Sequence, residues 1–162
     1  AEFGPRALGN RSILCSPFPA SMKDHINIRV KFREEFRPFA PMVLEEYAKE
    51  YFEISQESPH MLIAAKVKKD KKNRIPAVTH IDDSARIQTV NKNNNRKCFN
   101  LLESFYNNTE CPVLLNTSFN VKGQPIVNSP EDAINCFMST DIDILVIGDF
   151  MLKKKDDELE QL

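Results

Sequence analysis

The chain has 162 residues, 41% of them hydrophobic and 28% charged, and carries a formal net charge of −1. That length suits one compact domain and is short for two. The near-neutral balance argues against a surface that coats nucleic acid, although it leaves room for a local basic pocket. No run is long and apolar enough to span a bilayer, and no secretory leader pattern opens the chain. The sequence starts at Ala1 rather than at Met, so a piece of a longer, cytoplasmic protein is expected.

Residues 1–20 are rich in Gly and Pro and read as turns, with a short strand at 13–15. Ser21 and Asp24 form a capping arrangement for a helix that sets Met22, Ile26 and Val30 on one face. Pro38 and Pro41 exclude regular helix over 36–41. Strand follows at 42–44 and a short helix at 45–52. The apolar stretch 61–67 predicts a buried strand, and the basic run 68–74 a solvated loop.

Alternation over Arg86-Ile87-Gln88-Thr89-Val90 predicts a strand. An Asn-rich loop fills 91–95, and a helix is expected over 96–107 from the spacing of Phe99, Leu102, Phe105 and Tyr106. Residues 112–116 read as an apolar strand opening into a polar loop. Ser129-Pro130-Glu131-Asp132 is a strong helix start, with Ala133, Ile134, Phe137 and Met138 expected inside. A strand at 142–147 and a charged tail at 153–162 complete a layered α/β or α+β domain.

None of the four cysteines, Cys15, Cys98, Cys111 and Cys136, forms a C-x-x-C pair, and each lies in or beside an apolar stretch. Buried, reduced thiols are expected rather than a zinc site.

Four segments hold more polar detail than a fold requires. Gly4-Pro5-Arg6 to Arg11 fixes a sharp path with two guanidinium forks, which bind phosphate or carboxylate bidentately; composition alone also admits a turn with two surface arginines. Lys31, Arg33 and Arg37 bring three cations into seven residues between phenylalanines. On a strand, Lys31 and Arg33 would face the same side, giving either an anion pocket with apolar walls or an exposed basic edge.

In the third segment, His80 and Asp82 form a structural hydrogen-bonded pair or ligate a metal, the first being expected. Arg86 enters an apolar strand, where a charge needs a partner, and phosphate is the expected one. The fourth segment, Asn116-Thr117-Ser118-Phe119-Asn120 running on to Gly123 and Pro125, opens a buried strand into small hydroxyls and amides. Ligand loops in open α/β sheets sit at such carboxyl ends, while Asn, Thr and Ser also favour plain turns. The G-x-x-x-x-G-K-[ST] phosphate loop is missing. Cations, hydroxyls and amides without a nucleophilic triad favour positioning and electrostatic stabilisation of phosphate chemistry.

These segments closely resemble the C-terminal domain of the carbamoyltransferase family, which includes nodulation-factor and antibiotic O-carbamoyltransferases. The matching strings are EFGPRALGNRSIL, VKFREEFRPFAP, THIDDSARIQTV and PVLLNTSFNVKGQPIVNSPEDAI, in family order, within residues 1–152. The resemblance implies a YrdC-like twisted mixed sheet with flanking helices and a basic cavity. It implies that the domain takes ATP and carbamoyl phosphate, forms carbamoyl adenylate and releases pyrophosphate. A preceding N-terminal domain of the same full-length protein would pass the carbamoyl group to a hydroxyl acceptor.

By motif position, Lys31, Arg86 and Ser118 would be catalytic. Arg6, Arg33, Arg37, Asn116 and Asn120 would bind substrate or nucleotide. Mg²⁺ would arrive with ATP, on phosphate oxygens rather than in a protein cage. A non-catalytic nucleotide- or RNA-binding module is the alternative. The chain departs from the family at Asp82-Asp83-Ser84, where Asp-Gly-Ser is usual, and at Cys15-Ser16-Pro17-Phe18.

Overall fold

A computed structural model describes residues 7–154. A five-stranded mixed sheet has the order β1-β5-β2-β4-β3. Its strands are β1 (Ser12–Cys15), β2 (Ala40–Leu44), β3 (Ile63–Lys66), β4 (Ser84–Val90) and β5 (Val113–Ser118). The central β2 runs parallel to β4 and antiparallel to β5. β1 and β3 close the two edges in antiparallel pairing.

All five residues of β2 are buried, as expected of a middle strand covered on both faces. Alternate residues serve two cores. Val43, Ile87, Val113 and Leu115 pack with Ile26, Val30, Ala48, Ala133 and Phe137 on one face. Met42, Leu44, Val90 and Leu114 pack with Cys98 and Leu102 on the other. Helices α1 (Ser21–His25), α2 (Glu45–Tyr51) and α4 (Pro130–Met138) therefore belong with the first face, and α3 (Arg96–Thr109) covers the second. This is the layered mixed α/β sheet with flanking helices expected from the sequence.

Caps set the helix ends. Asn95 accepts from the Cys98 amide at the start of α3, and Glu110 in left-handed conformation stops it. Arg74 donates to the carbonyls of Thr109 and Glu110 at 3.1 and 2.7 Å, where a cation suits the helix terminus. At α4, Ser129 and Asp132 form a reciprocal capping box behind Pro130.

Several local expectations are corrected. The helix expected over 21–30 changes pitch at Ile26, and Ala20, not Ser21, stands at its N-cap. The stretch 61–67 supplies the half-exposed edge strand β3, with Leu62 82% exposed. β5 continues through Ser118 because Ser12 of β1 pairs with it. On α4 the buried face is Ala133, Cys136 and Phe137, leaving Ile134 and Met138 exposed. Residues 144–147 form β6 (Ile144–Ile147), which among the described residues pairs only with β7 (Phe150–Lys153) in a separate hairpin. Lys153 thus ends a strand, and the Lys154 ammonium reaches the Thr140 carbonyl. All four cysteines are free, and burial raises their thiol pKa. No helix among the described residues is long and apolar enough to cross a membrane.

Candidate functional site

The site begins where α1 loosens. The Lys31 amide donates to the Ile26 carbonyl at 2.8 Å, five residues back, so Ile26–Val30 is one π-helical turn. Such turns insert an extra residue and are frequent at functional sites. The chain then reverses through Phe32 at φ 49°. Lys31 and Arg33 therefore do not lie on a strand, and their common direction comes from this turn. Asn27, fully buried, holds the reversal together. Its Nδ2 donates to the Glu35 and Arg37 carbonyls, and its Oδ1 accepts from Arg33 Nε at 2.7 Å.

The turn delivers Lys31 to the carboxyl end of β5. Its side chain is buried at 4% exposure. Nζ donates to the carbonyls of Ser118 (2.7 Å) and Asn120 (2.6 Å), to Asn120 Oδ1 (2.6 Å) and to Ser118 Oγ (3.3 Å). Ser118 Oγ donates in turn to Asn120 Oδ1 at 2.6 Å, and Asn120 Nδ2 closes the loop onto the Gln124 carbonyl. The Lys31 carbonyl accepts from the Lys122 amide, so lysine and loop fix one another.

All these acceptors are neutral oxygens. Among the described residues no carboxylate pairs with Lys31 or Arg33. Burial, and then the Arg33 cation, lower the Lys31 pKa from 10.5 to about 8. Burial also lowers Arg33, with Arg37 adding repulsion; the Arg33 guanidinium lies over the Phe39 ring, 4.6 Å from its centroid. Glu34 offsets part of the Arg33 charge and pairs with Arg37 and Lys122 at the rim, but positive charge in excess of its acids remains a standing electrostatic demand for an anion.

Two compartments meet at Arg33 and Ser118. The larger, about 290 Å³, is lined by Lys31, Arg37, Asn120 and the turn Val121-Lys122-Gly123 as well as by those two. Gly123, at φ 80°, takes a left-handed conformation that side chains rarely adopt. The smaller, about 110 Å³, adds Arg86, Asn116, Thr117, Phe39, Ala40 and Met61. A further apolar cavity of about 880 Å³, between α3, α4 and the β6–β7 hairpin, is lined by Arg11 but by none of Lys31, Arg33, Arg37, Arg86, Asn116, Ser118 and Asn120.

The structure thus brings together Lys31, Arg33, Arg37, Arg86, Asn116, Ser118 and Asn120. Arg37 stands at the rim, its Nε bonded to Glu34 at 3.0 Å. Glu34 also binds Lys122 at 2.7 Å, and chiefly that bond lowers its carboxyl pKa to about 2. Arg6 lies outside the described residues. Arg11 is structural, donating to the Val127 carbonyl at 2.9 Å.

His80 is structural as well. Its ring nitrogens face Ser84 Oγ and the Phe39 carbonyl, each at 3.3 Å, and Ser84 Oγ donates to Asp82. No group of three or more metal-ligating side chains occurs among the described residues. Asp83 sits at φ 66°, a conformation that favours glycine, and its carboxylate meets Lys72 at 2.6 Å, so the added acid lines neither compartment. Phe18, in the other departing stretch, packs on Phe105. Sequence reasoning missed Asn27, Met61 and Gln88; a polar residue facing inward from an apolar strand was the available signal for Gln88.

The sequence matches the model of the carbamoyltransferase C-terminus over residues 1–154. It is 51% identical to nodulation protein NolNO of Sinorhizobium fredii over 96% of this chain and 23% of that protein. Nodulation protein NolO of Bradyrhizobium diazoefficiens is 48% identical over 99% of this chain and 30% of its own length. An uncharacterized Synechocystis protein is 47% identical over 94% of this chain and 28% of its own. The chain therefore spans under a third of these relatives.

Proposed function

The chain belongs to the carbamoyltransferase C-terminal family, and on that premise we propose that it binds ATP and carbamoyl phosphate and forms carbamoyl adenylate. A hydroxyl acceptor then receives the carbamoyl group in another part of the full-length protein. The observation that carries this reading is the cluster of Lys31, Arg33 and Ser118, whose cations bond to no carboxylate among the described residues and of which Arg33 and Ser118 form the wall shared by the two compartments.

Water cleaves carbamoyl phosphate to carbamate and inorganic phosphate. A carbamate oxygen attacks the α-phosphorus of ATP, the bond from that phosphorus to the bridging oxygen breaks, and pyrophosphate leaves. Lys31, Arg33 and Arg37 in the larger compartment neutralise the triphosphate and the charge that develops on the leaving pyrophosphate. Arg86 and Ser118 hold the carbamoyl end close to the α-phosphorus, where proximity lowers the barrier. The lining of cations, hydroxyls and amides offers no cation cage, so Mg²⁺ travels on the phosphate oxygens of ATP.

The test uses the full-length protein supplied with ATP, Mg²⁺ and carbamoyl phosphate. Pyrophosphate release and a carbamoyl adenylate peak by mass spectrometry are expected from wild type and not from Lys31→Ala. A wild-type protein that makes neither, or a Lys31→Ala variant as active as wild type, contradicts the reading.

A further inference from the structure

Asn116 carries an acceptor that the fold leaves unused. The residue sits on β5 opposite Leu14 and Ala40 and is 2% exposed. Its Nδ2 turns into the sheet, donating to Gln88 Oε1 at 2.7 Å and touching Met42 Sδ at 3.8 Å. Its Oδ1 is buried and has no hydrogen-bond partner among the described residues. Buried polar atoms are nearly always paired, so one left open in a residue that lines a cavity asks for a partner.

The orientation of this amide is dictated by its neighbours. Gln88, also buried, donates through Nε2 to the Leu8 carbonyl at 3.1 Å. A carbonyl only accepts, so Gln88 must present Oε1 to Asn116. Asn116 must then spend its nitrogen on Gln88. Flipping either amide would set two acceptors against each other. The relay thereby holds Oδ1 as the group Asn116 has available for an occupant of the compartment it lines.

That compartment, about 110 Å³, is the smaller of the two and holds Arg33, Arg86, Thr117 and Ser118 around Asn116. It is far too small for a nucleoside triphosphate, whose phosphates have the larger neighbour. Its lining offers donors for an acyl oxygen and, in Asn116 Oδ1, an unpaired acceptor for an N–H. Building on the function proposed above, we propose that Asn116 Oδ1 accepts a hydrogen bond from the amino group of the carbamoyl moiety and so makes the site select carbamoyl donors over acyl phosphates that lack an N–H. Acetyl phosphate, with a methyl group in that place, leaves the oxygen unpaired and desolvated. Sites built this way reject the analogue by roughly 10⁴-fold.

The experiment measures ATP-dependent pyrophosphate release by the full-length protein with carbamoyl phosphate and with acetyl phosphate. The readout is the ratio of the two kcat/KM values within one protein sample, which cancels any difference in folded fraction. Wild type is expected to favour carbamoyl phosphate by at least roughly 10³-fold. Asn116→Leu is expected to lose at least roughly 100-fold of that ratio.

A wild-type ratio near one overturns the inference without any variant. So does a ratio that survives in Asn116→Leu. Absence of any pyrophosphate release with carbamoyl phosphate from wild type is the separate failure of the underlying function.

Discussion

Two regions of this molecule concentrate positive charge and behave in opposite ways. Residues 66–74 hold Lys66, Lys68, Lys69, Lys71, Lys72 and Arg74. There Lys71 meets Glu50 at 2.5 Å and Lys72 meets Asp83 at 2.6 Å. Arg74 spends itself on the carboxyl end of α3. The pocket over this region includes Glu53, Asp70 and Asp83. At the junction of the π-turn and β5, by contrast, Lys31 and Arg33 bond to neutral oxygens, and Arg33 lies over an aromatic ring. Charge density alone does not mark a binding site. Burial without acidic partners does, because the missing counter-charge must come from a ligand.

The sharpest way to break this contrast is to remove one cation from each region. Lys31→Ala should lower pyrophosphate release by roughly 10²–10³-fold, the usual cost of losing a preorganised electrostatic group at developing charge. Lys69→Ala should leave the rate unchanged. A smaller loss is expected from Arg33→Lys, which keeps the charge but gives up the planar fork and its stacking on Phe39. Calorimetric titration with Mg-ATP should show affinity reduced about tenfold.

Proton titration sharpens the comparison further. With the Lys31 pKa lowered to about 8, its ammonium is present below that pH and lost above it. kcat/KM for ATP should therefore fall as pH rises through about 8. A bound polyanion favours the charged form, so the fall in kcat should come at higher pH. A flat kcat/KM profile across this range would count against a catalytic role for the ammonium. The smallest effect belongs to the surface pair. Lys72→Ala should cost less than about 1 kcal/mol in urea unfolding and leave turnover intact.

How much of this was legible in the sequence depends on the range of the interactions. The apolar run ending at Asn116 and the capped start at Ser129 depend on neighbouring residues, and both elements were readable. The π-turn was not. Its defining bond, Lys31 to Ile26, leaves the apolar spacing of Met22, Ile26 and Val30 looking like ordinary helix. The extent of β5 was misjudged because Ser118 joins the sheet only through Ser12, 106 positions earlier in register. Met138 was taken for core because apolar character does not say which face of α4 meets the sheet. The site residues Lys31, Arg86, Ser118 and Asn120 were picked out by type and motif. Their neutral-oxygen company, and the Gln88–Asn116 relay on either side of β2, are properties of the fold.

The account stands most directly on titration of the full-length protein with Mg-ATP, comparing wild type, Lys31→Ala and Lys72→Ala. Saturable binding that survives in Lys72→Ala and disappears in Lys31→Ala is the predicted result. Unchanged binding in Lys31→Ala, or an equal loss in both variants, would contradict the claim that the cluster around Lys31 and Arg33 is the anion site.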